Sequence, residues 1–123
     1  MAARPAPDNA PMSHLPAMAA HAELSTWIET REELLSSALL GGAGGMCAVF
    51  LSRDTQGDYL LRLCDGADDR WMTWREQRRL RSAFGRSYAE ALANAAMTRL
   101  ERSGWQLEWL ARASPEALPA LAA

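Results

Sequence analysis

A chain of 123 residues with a formal charge of −2 has room for one small domain, and its size leaves little space for a deep substrate cavity, so binding proteins are favoured over enzymes. No stretch approaches the roughly 18 consecutive apolar residues of a membrane span, and the first twenty residues lack the basic start and apolar run of a signal peptide. The expected location is therefore the cytoplasm, with no membrane partner, and Cys47 and Cys64 are expected there as thiols.

All 13 basic residues are arginine, in a chain rich in Ala and Leu whose only β-branched aliphatics are Ile28 and Val49. That is the bacterial-like composition of a G+C-rich genome, and it weakens any inference from arginine abundance alone. Charge is unevenly spread. Residues 21–69 hold nine acids against three arginines, whereas residues 70–86 hold six arginines against Glu76. Such asymmetry marks either a surface for an acidic or nucleic-acid partner or two halves that attract each other within the fold.

In chain order, residues 1–20 carry Pro5, Pro7, Pro11 and Pro16 among alanines, without apolar periodicity, and are expected to be a flexible Pro/Ala-rich tail ahead of a single domain at 21–123. Thr26 and Glu29 have capping-box spacing, and Trp27, Ile28, Leu34, Leu35, Ala38 and Leu39 recur at helical intervals, which predicts a helix to about Leu40. Gly41–Gly45 then reads as a helix cap and linker rather than a phosphate loop, since it follows the predicted helix instead of opening one.

Residues 46–53 and 58–65 flank the turn residues 54–57 and predict a hairpin. Pairing Arg53 with Asp58 places Cys47 opposite Cys64 and puts Ala48, Phe50, Leu61 and Leu63 on one core face. Residues 71–75 alternate like a strand, but Thr73 and Glu76 again have capping-box spacing, so a short strand entering a helix from about Trp74 to Phe84 is expected. After Gly85, a further helix from Ser87 carries Tyr88, Leu92, Ala96 and Leu100 on one face. Gly104 caps it, a strand over residues 105–112 is expected with continuation of the helix as the competing reading, and Ser114-Pro115-Glu116 opens a last helical turn. The fold class expected is α+β: a small antiparallel sheet, the hairpin plus one or two further strands, with helices packed on one face.

Two cysteines and two histidines match the ligand count of a zinc site, but no C-x-x-C or H-x₃₋₅-H pairing exists and His14 and His21 lie in or beside the tail. A Cys–His nucleophile fails on the same ground. Asp65, Asp68 and Asp69 lack a calcium-loop pattern and read as a solvated turn. No cofactor or metal is expected, and no catalytic set is coherent. The predicted helix from Trp74 would gather Arg75, Arg78, Arg79 and Arg86 within roughly 100° of arc, opposite Leu80 and Phe84, with Trp71 and Trp74 adjoining. Indoles beside arginines can anchor a protein interface or stack on bases, and the alternative is a solvated face with the tryptophans in the core.

Gly85-Arg86-Ser87-Tyr88-Ala89-Glu90-Ala91-Leu92-Ala93-Asn94-Ala95 resembles the helix start of HicB-like antitoxins, small sheet-and-helix proteins that bind a toxin. The family's Pro- and Gly-containing strand upstream is missing, and no functional residue carries over. The function expected is a non-enzymatic binding module, an adaptor, inhibitor or regulatory subunit, acting on a protein partner through Arg75, Arg78, Arg79, Arg86, Trp71 and Trp74, and a homo-oligomer is a further option. A nucleic-acid-binding regulator or antitoxin-like protein using residues 70–86 is the alternative.

Overall fold

A computed structural model describes residues 18–112 of the chain. The elements run β1 (Met18–Ala19), α1 (His21–Glu29), β2 (Glu33–Gly42), β3 (Gly45–Arg53), β4 (Tyr59–Gly66), β5 (Met72–Leu80), a 3₁₀ turn (Ser82–Phe84), α2 (Arg86–Arg102) and β6 (Gln106–Arg112). All strands are antiparallel to their neighbours, in the order β1-β5-β4-β3-β2-β6. The class is α+β, as the sequence predicts, and the sheet is larger than expected. Of the expected tail, residues 1–17 lie outside the described residues, as does the helical turn at 114–116, while Met18 and Ala19 pair with Thr73 and Met72.

The helices take opposite faces of the sheet rather than one. On β3, Val49 and Leu51 join a cluster with Ala89, Ala93 and Met97 of α2, while Ala48 and Phe50 join one with Leu24 and Ile28 of α1. Successive strand residues point to opposite faces, so a strand covered on both sides is apolar throughout. This explains the largest correction, at β2. The run Leu34-Leu35-Ser36-Ser37-Ala38-Leu39-Leu40 mimics helical spacing, yet Leu35, Ala38 and Leu40 face α2 while Leu34 and Leu39 face α1. The predicted helix is thus replaced by α1, which ends at Glu29, and a ten-residue strand. Helix α1 starts five residues before Thr26, and its first turn is held by Glu23, whose Oε1 accepts the Ala20 N–H at 2.9 Å.

The glycine run is the tight β2–β3 hairpin, with Gly42 opposite Gly45. Gly42 has a steric reason: a Cβ there would stand 2.8 Å from the Trp105 ring. In the next hairpin Arg53 pairs with Tyr59, one residue from the expected register, because Asp54 and Asp58 close a five-residue loop through the Asp54 N–H and the Asp58 carbonyl at 2.8 Å. The slip turns Leu61 and Leu63 toward Val49 and Leu51 and away from Ala48 and Phe50. It also sets Cys47 against Asp65 and Cys64 against Ala48, so the two cysteines are not opposed.

Residues 72–80 form one strand with a bulge at Arg75, where Leu63 faces Glu76 and Cys64 faces Trp74; no helix spans 74–84. Helix α2 starts after Gly85, whose φ of +88° is a conformation that disfavours residues with a Cβ. Its buried stripe is Ala89, Ala93, Ala96 and Met97, small side chains that let the helix lie close on the sheet. Tyr88, expected on that stripe, is exposed and stacks on Phe84 at 5.1 Å. Gly104 follows the helix with φ +105°, and residues 106–112 then form the strand that the alternation predicts, β6, which pairs along β2.

Candidate functional site

The six residues expected to bind a partner do not come together. Because residues 72–80 are a strand, adjacent arginines diverge: Arg78 stands opposite Leu61, whose side lies under α2, and Arg79 opposite Leu60 on the other side. Arg79 reaches Asp54 at 2.6 Å and Asp58 at 3.3 Å, Arg75 reaches Asp65 at 3.2 Å, and Arg86 reaches Glu90 at 3.0 Å. Asp54 is held below the usual carboxylate range: burial pushes it up, but the Arg79 guanidinium and the backbone N–H groups of Asp58 and Gln56 outweigh that. Trp71 is 58 % exposed in the turn before β5. Trp74 is half-buried on the α1 side, 6.1 Å from Phe50. The acidic first half and the arginine-rich segment therefore neutralise one another through pairs at Asp54, Asp58 and Asp65.

The structure instead assembles a groove of about 550 Å³ between α1 and β6, floored by β2. Its α1 bank carries His21, Ala22, Ser25 and Glu29; its far bank carries Trp109, Ala111 and Arg112. The groove exists because α1 has only nine residues and packs on β2 and β3, leaving the sheet beyond β2 uncovered on that side. Trp109, 46 % exposed, stands at its rim on β6.

Both ends of α1 are fastened. At the N-terminal end the His21 N–H donates to the Asp69 carbonyl at 2.7 Å, and the imidazole stacks on Phe50 at 5.2 Å and meets Trp109 edge-on at 5.3 Å. Its Nε2 shares a hydrogen bond with Ser37 Oγ at 3.2 Å. Burial pushes the imidazole below its ordinary pKa, with the charge of Asp69 pulling the other way, so the ring is neutral at pH 7. His21 thus lies on a rigid element, not in a tail as expected, but it is partnered by a serine rather than a cysteine. Ser37 and His21 are within nucleophile–base distance, yet Ser37 is 2 % exposed beneath the ring. No carboxylate among the described residues hydrogen-bonds the imidazole, so the pair lacks the orienting group of a catalytic triad.

At the other end, just past α1, Glu32 receives the fully buried Arg62 of β4. Arg62 Nη1 donates to Glu32 Oε1 at 2.8 Å and to Ser52 Oγ at 3.2 Å, Nη2 donates to Glu32 Oε2 at 3.1 Å, and Nε donates to Gln77 Oε1 at 2.8 Å. Trp27 and Trp74 flank the guanidinium, each ring centre 6.0 Å away. Neither the groove nor this network was foreseen. The one signal for the network is an arginine inside the apolar run Leu60-Leu61-Arg62-Leu63-Cys64.

Cys47 and Cys64 are free and buried, and burial pushes their thiols up to about 11 and about 12. Among the described residues no three His, Cys, Asp or Glu side chains cluster as metal ligands; His14 lies outside them. No helix among them is long and apolar enough to cross a membrane. No family model, no curated protein and no solved structure matches the chain, so the likeness of residues 85–95 to HicB-like antitoxins stays a local one.

Proposed function

We propose that this chain is a non-enzymatic protein-binding module of the cytoplasm, and that its partner docks at β6 and the α1–β6 groove rather than on an arginine face. The observation that carries this reading is Trp109, an exposed indole on an edge strand, set beside a groove with an apolar lining. Tryptophan is among the residues most enriched at the energetic centres of protein interfaces. Among the described residues nothing pairs with the outer edge of β6, and from Trp109 to Arg112 its pairing with β2 is regular. The occupant that fits is an extended segment of another protein, adding as a strand and seating an apolar side chain in the groove. Glu29, without a hydrogen-bonding partner among the described residues, gives the α1 bank a negative charge, whereas Arg112 turns its guanidinium to Asn94 of α2, on the other face of the sheet, at 2.9 Å.

The test places a photo-crosslinking residue at Trp109 and, separately, at Arg78 in the native host, and then measures binding of the captured protein in purified form. Capture at position 109, with affinity falling at least tenfold in Trp109→Ala, is the expected result. Binding that survives Trp109→Ala and is lost in Arg78→Ala, self-association through β6 seen by sedimentation, or tight salt-dependent binding of nucleic acid would each overturn it.

A further inference from the structure

His21 links the α1 bank, the floor and the rim of the groove. It belongs to α1, stacks on Phe50 of β3, bonds Ser37 of β2 and meets Trp109 of β6. We propose that this histidine makes the groove acid-sensitive, so that protonation of the ring frees Trp109 and releases what is docked there. The proposal rests on the protein-binding reading for its biological consequence, but the sensor itself can be tested without a partner.

The charged and titratable groups around the ring are few. The loop before β5 presents Asp69, and α1 presents Glu23, which is engaged by Ala20, and Glu29 farther along the groove, while Arg112 of β6 turns its guanidinium away to Asn94 of α2. From β2 come only Ser36 and Ser37 and from β3 Phe50, while Cys64 of β4 shares the cluster as a neutral thiol. An imidazolium here is poorly hydrated, and the direction of its shift says that the charge of Asp69 does not compensate for burial. A ring whose folded pKa lies below its unfolded value contributes stability that is fully present above about pH 6.5 and is lost as pH falls through that value toward the folded pKa.

The loss is local. His21 is the first residue of α1, so unwinding one turn brings the ring into water, while Glu32 and Arg62 keep the far end of the helix clasped. Trp109 then loses its edge contact with the imidazole, and the rim it forms is no longer fixed.

The experiment follows the Trp109 indole N–H and the His21 ring by NMR in the full chain from pH 8 to pH 5, with His14→Gln assigning the second histidine. The His21 midpoint is expected below 6.5, with the Trp109 resonance shifting at the same midpoint and the Trp105 resonance staying still; in His21→Gln, Trp109 stops responding. The wild-type titration is decisive even if His21→Gln misfolds. A His21 midpoint at or above 6.5, or a Trp109 signal that ignores the titration, overturns the proposal. A partner captured at Trp109 should bind severalfold more weakly at pH 5.5 than at pH 7.5, and equal binding at both also overturns it. Failure to find any partner at the groove sinks the functional reading alone and leaves the titration intact.

Discussion

Arg62 illustrates how one residue fixes an element it does not belong to. Its guanidinium is spread over Glu32, Ser52 and Gln77, and Ser52 Oγ in turn donates to Glu32 Oε1 at 2.6 Å, so the loop after α1 is tied to three successive strands. Burying this charge is costly, and a pair of this kind adds less net stability than its geometry suggests. Removing one member is far worse than removing both, because it strands an uncompensated charge. Arg62→Met is therefore expected to cost about 3–5 kcal/mol in urea unfolding, and Arg62→Met combined with Glu32→Gln distinctly less than Arg62→Met alone. Equal losses in the single and double variants would show that the charge is solvated rather than stranded.

At the scale of elements, what the sequence revealed depended on how each strand is covered. Strand β6 was legible because its alternation is plain and one side stays wet. The start of β5 was legible for the same reason, but Thr73 and Glu76 imitate a helix cap and concealed its continuation. In β2 the two-sided burial erased the alternation, and a helix and a buried strand then have the same apolar signature. The hairpin of β3 and β4 was found, yet its register was off by one, since the five-residue Asp54–Asp58 loop is closed by backbone and side-chain bonds that spacing alone does not reveal. That slip reverses an expectation about the cysteines. Cys64 pairs with Ala48 on the α1 side, and Cys47 pairs with Leu40 on the α2 side, so their side chains project from opposite faces. Mild oxidation of the native protein is expected to leave both thiols intact by mass, and alkylation at pH 7 to be slow, given thiols raised to about 11 and about 12. A rapid loss of two hydrogens from folded monomer would contradict the register.

Across the whole molecule, part of the long-range charge asymmetry is neutralised inside the fold. Arg75 and Arg79 each find a carboxylate from the acidic half, at Asp65 and at Asp54 and Asp58, and Arg62 pairs with Glu32 within that half. Binding to mixed-sequence DNA or RNA should accordingly be weak, and Arg78→Ala should change the dependence of log K on log salt by no more than about one unit. Submicromolar affinity with a slope of roughly −3 to −4 would mean that these pairs open for phosphate. The groove itself was beyond the reach of sequence reasoning, for it needs three facts together: the shortness of α1, the place of β6 beside β2, and the opposite-face arrangement of the helices. His21 is the clearest case, a residue that borders an irregular segment in sequence and sits against Phe50, Ser37 and Trp109 in space.

The bulge at Arg75 bears on what assemblies this sheet can enter. The outer margin of β5 is covered by β1 at Met72 and Thr73, and beyond them it is kinked and carries Arg75, Glu76, Arg78 and Arg79, a combination that resists the approach of another strand. The margin of β6 has its own irregularity between its pairings with Leu39 and Leu40, but Trp109, Leu110 and Ala111 beyond it form an uncharged stretch. The sheet therefore has one extendable margin and one that terminates. A unit of that kind accepts a single addition and then stops, so its complexes are expected to be closed and of fixed stoichiometry, and concentrating the protein should yield no filaments by light scattering or electron microscopy.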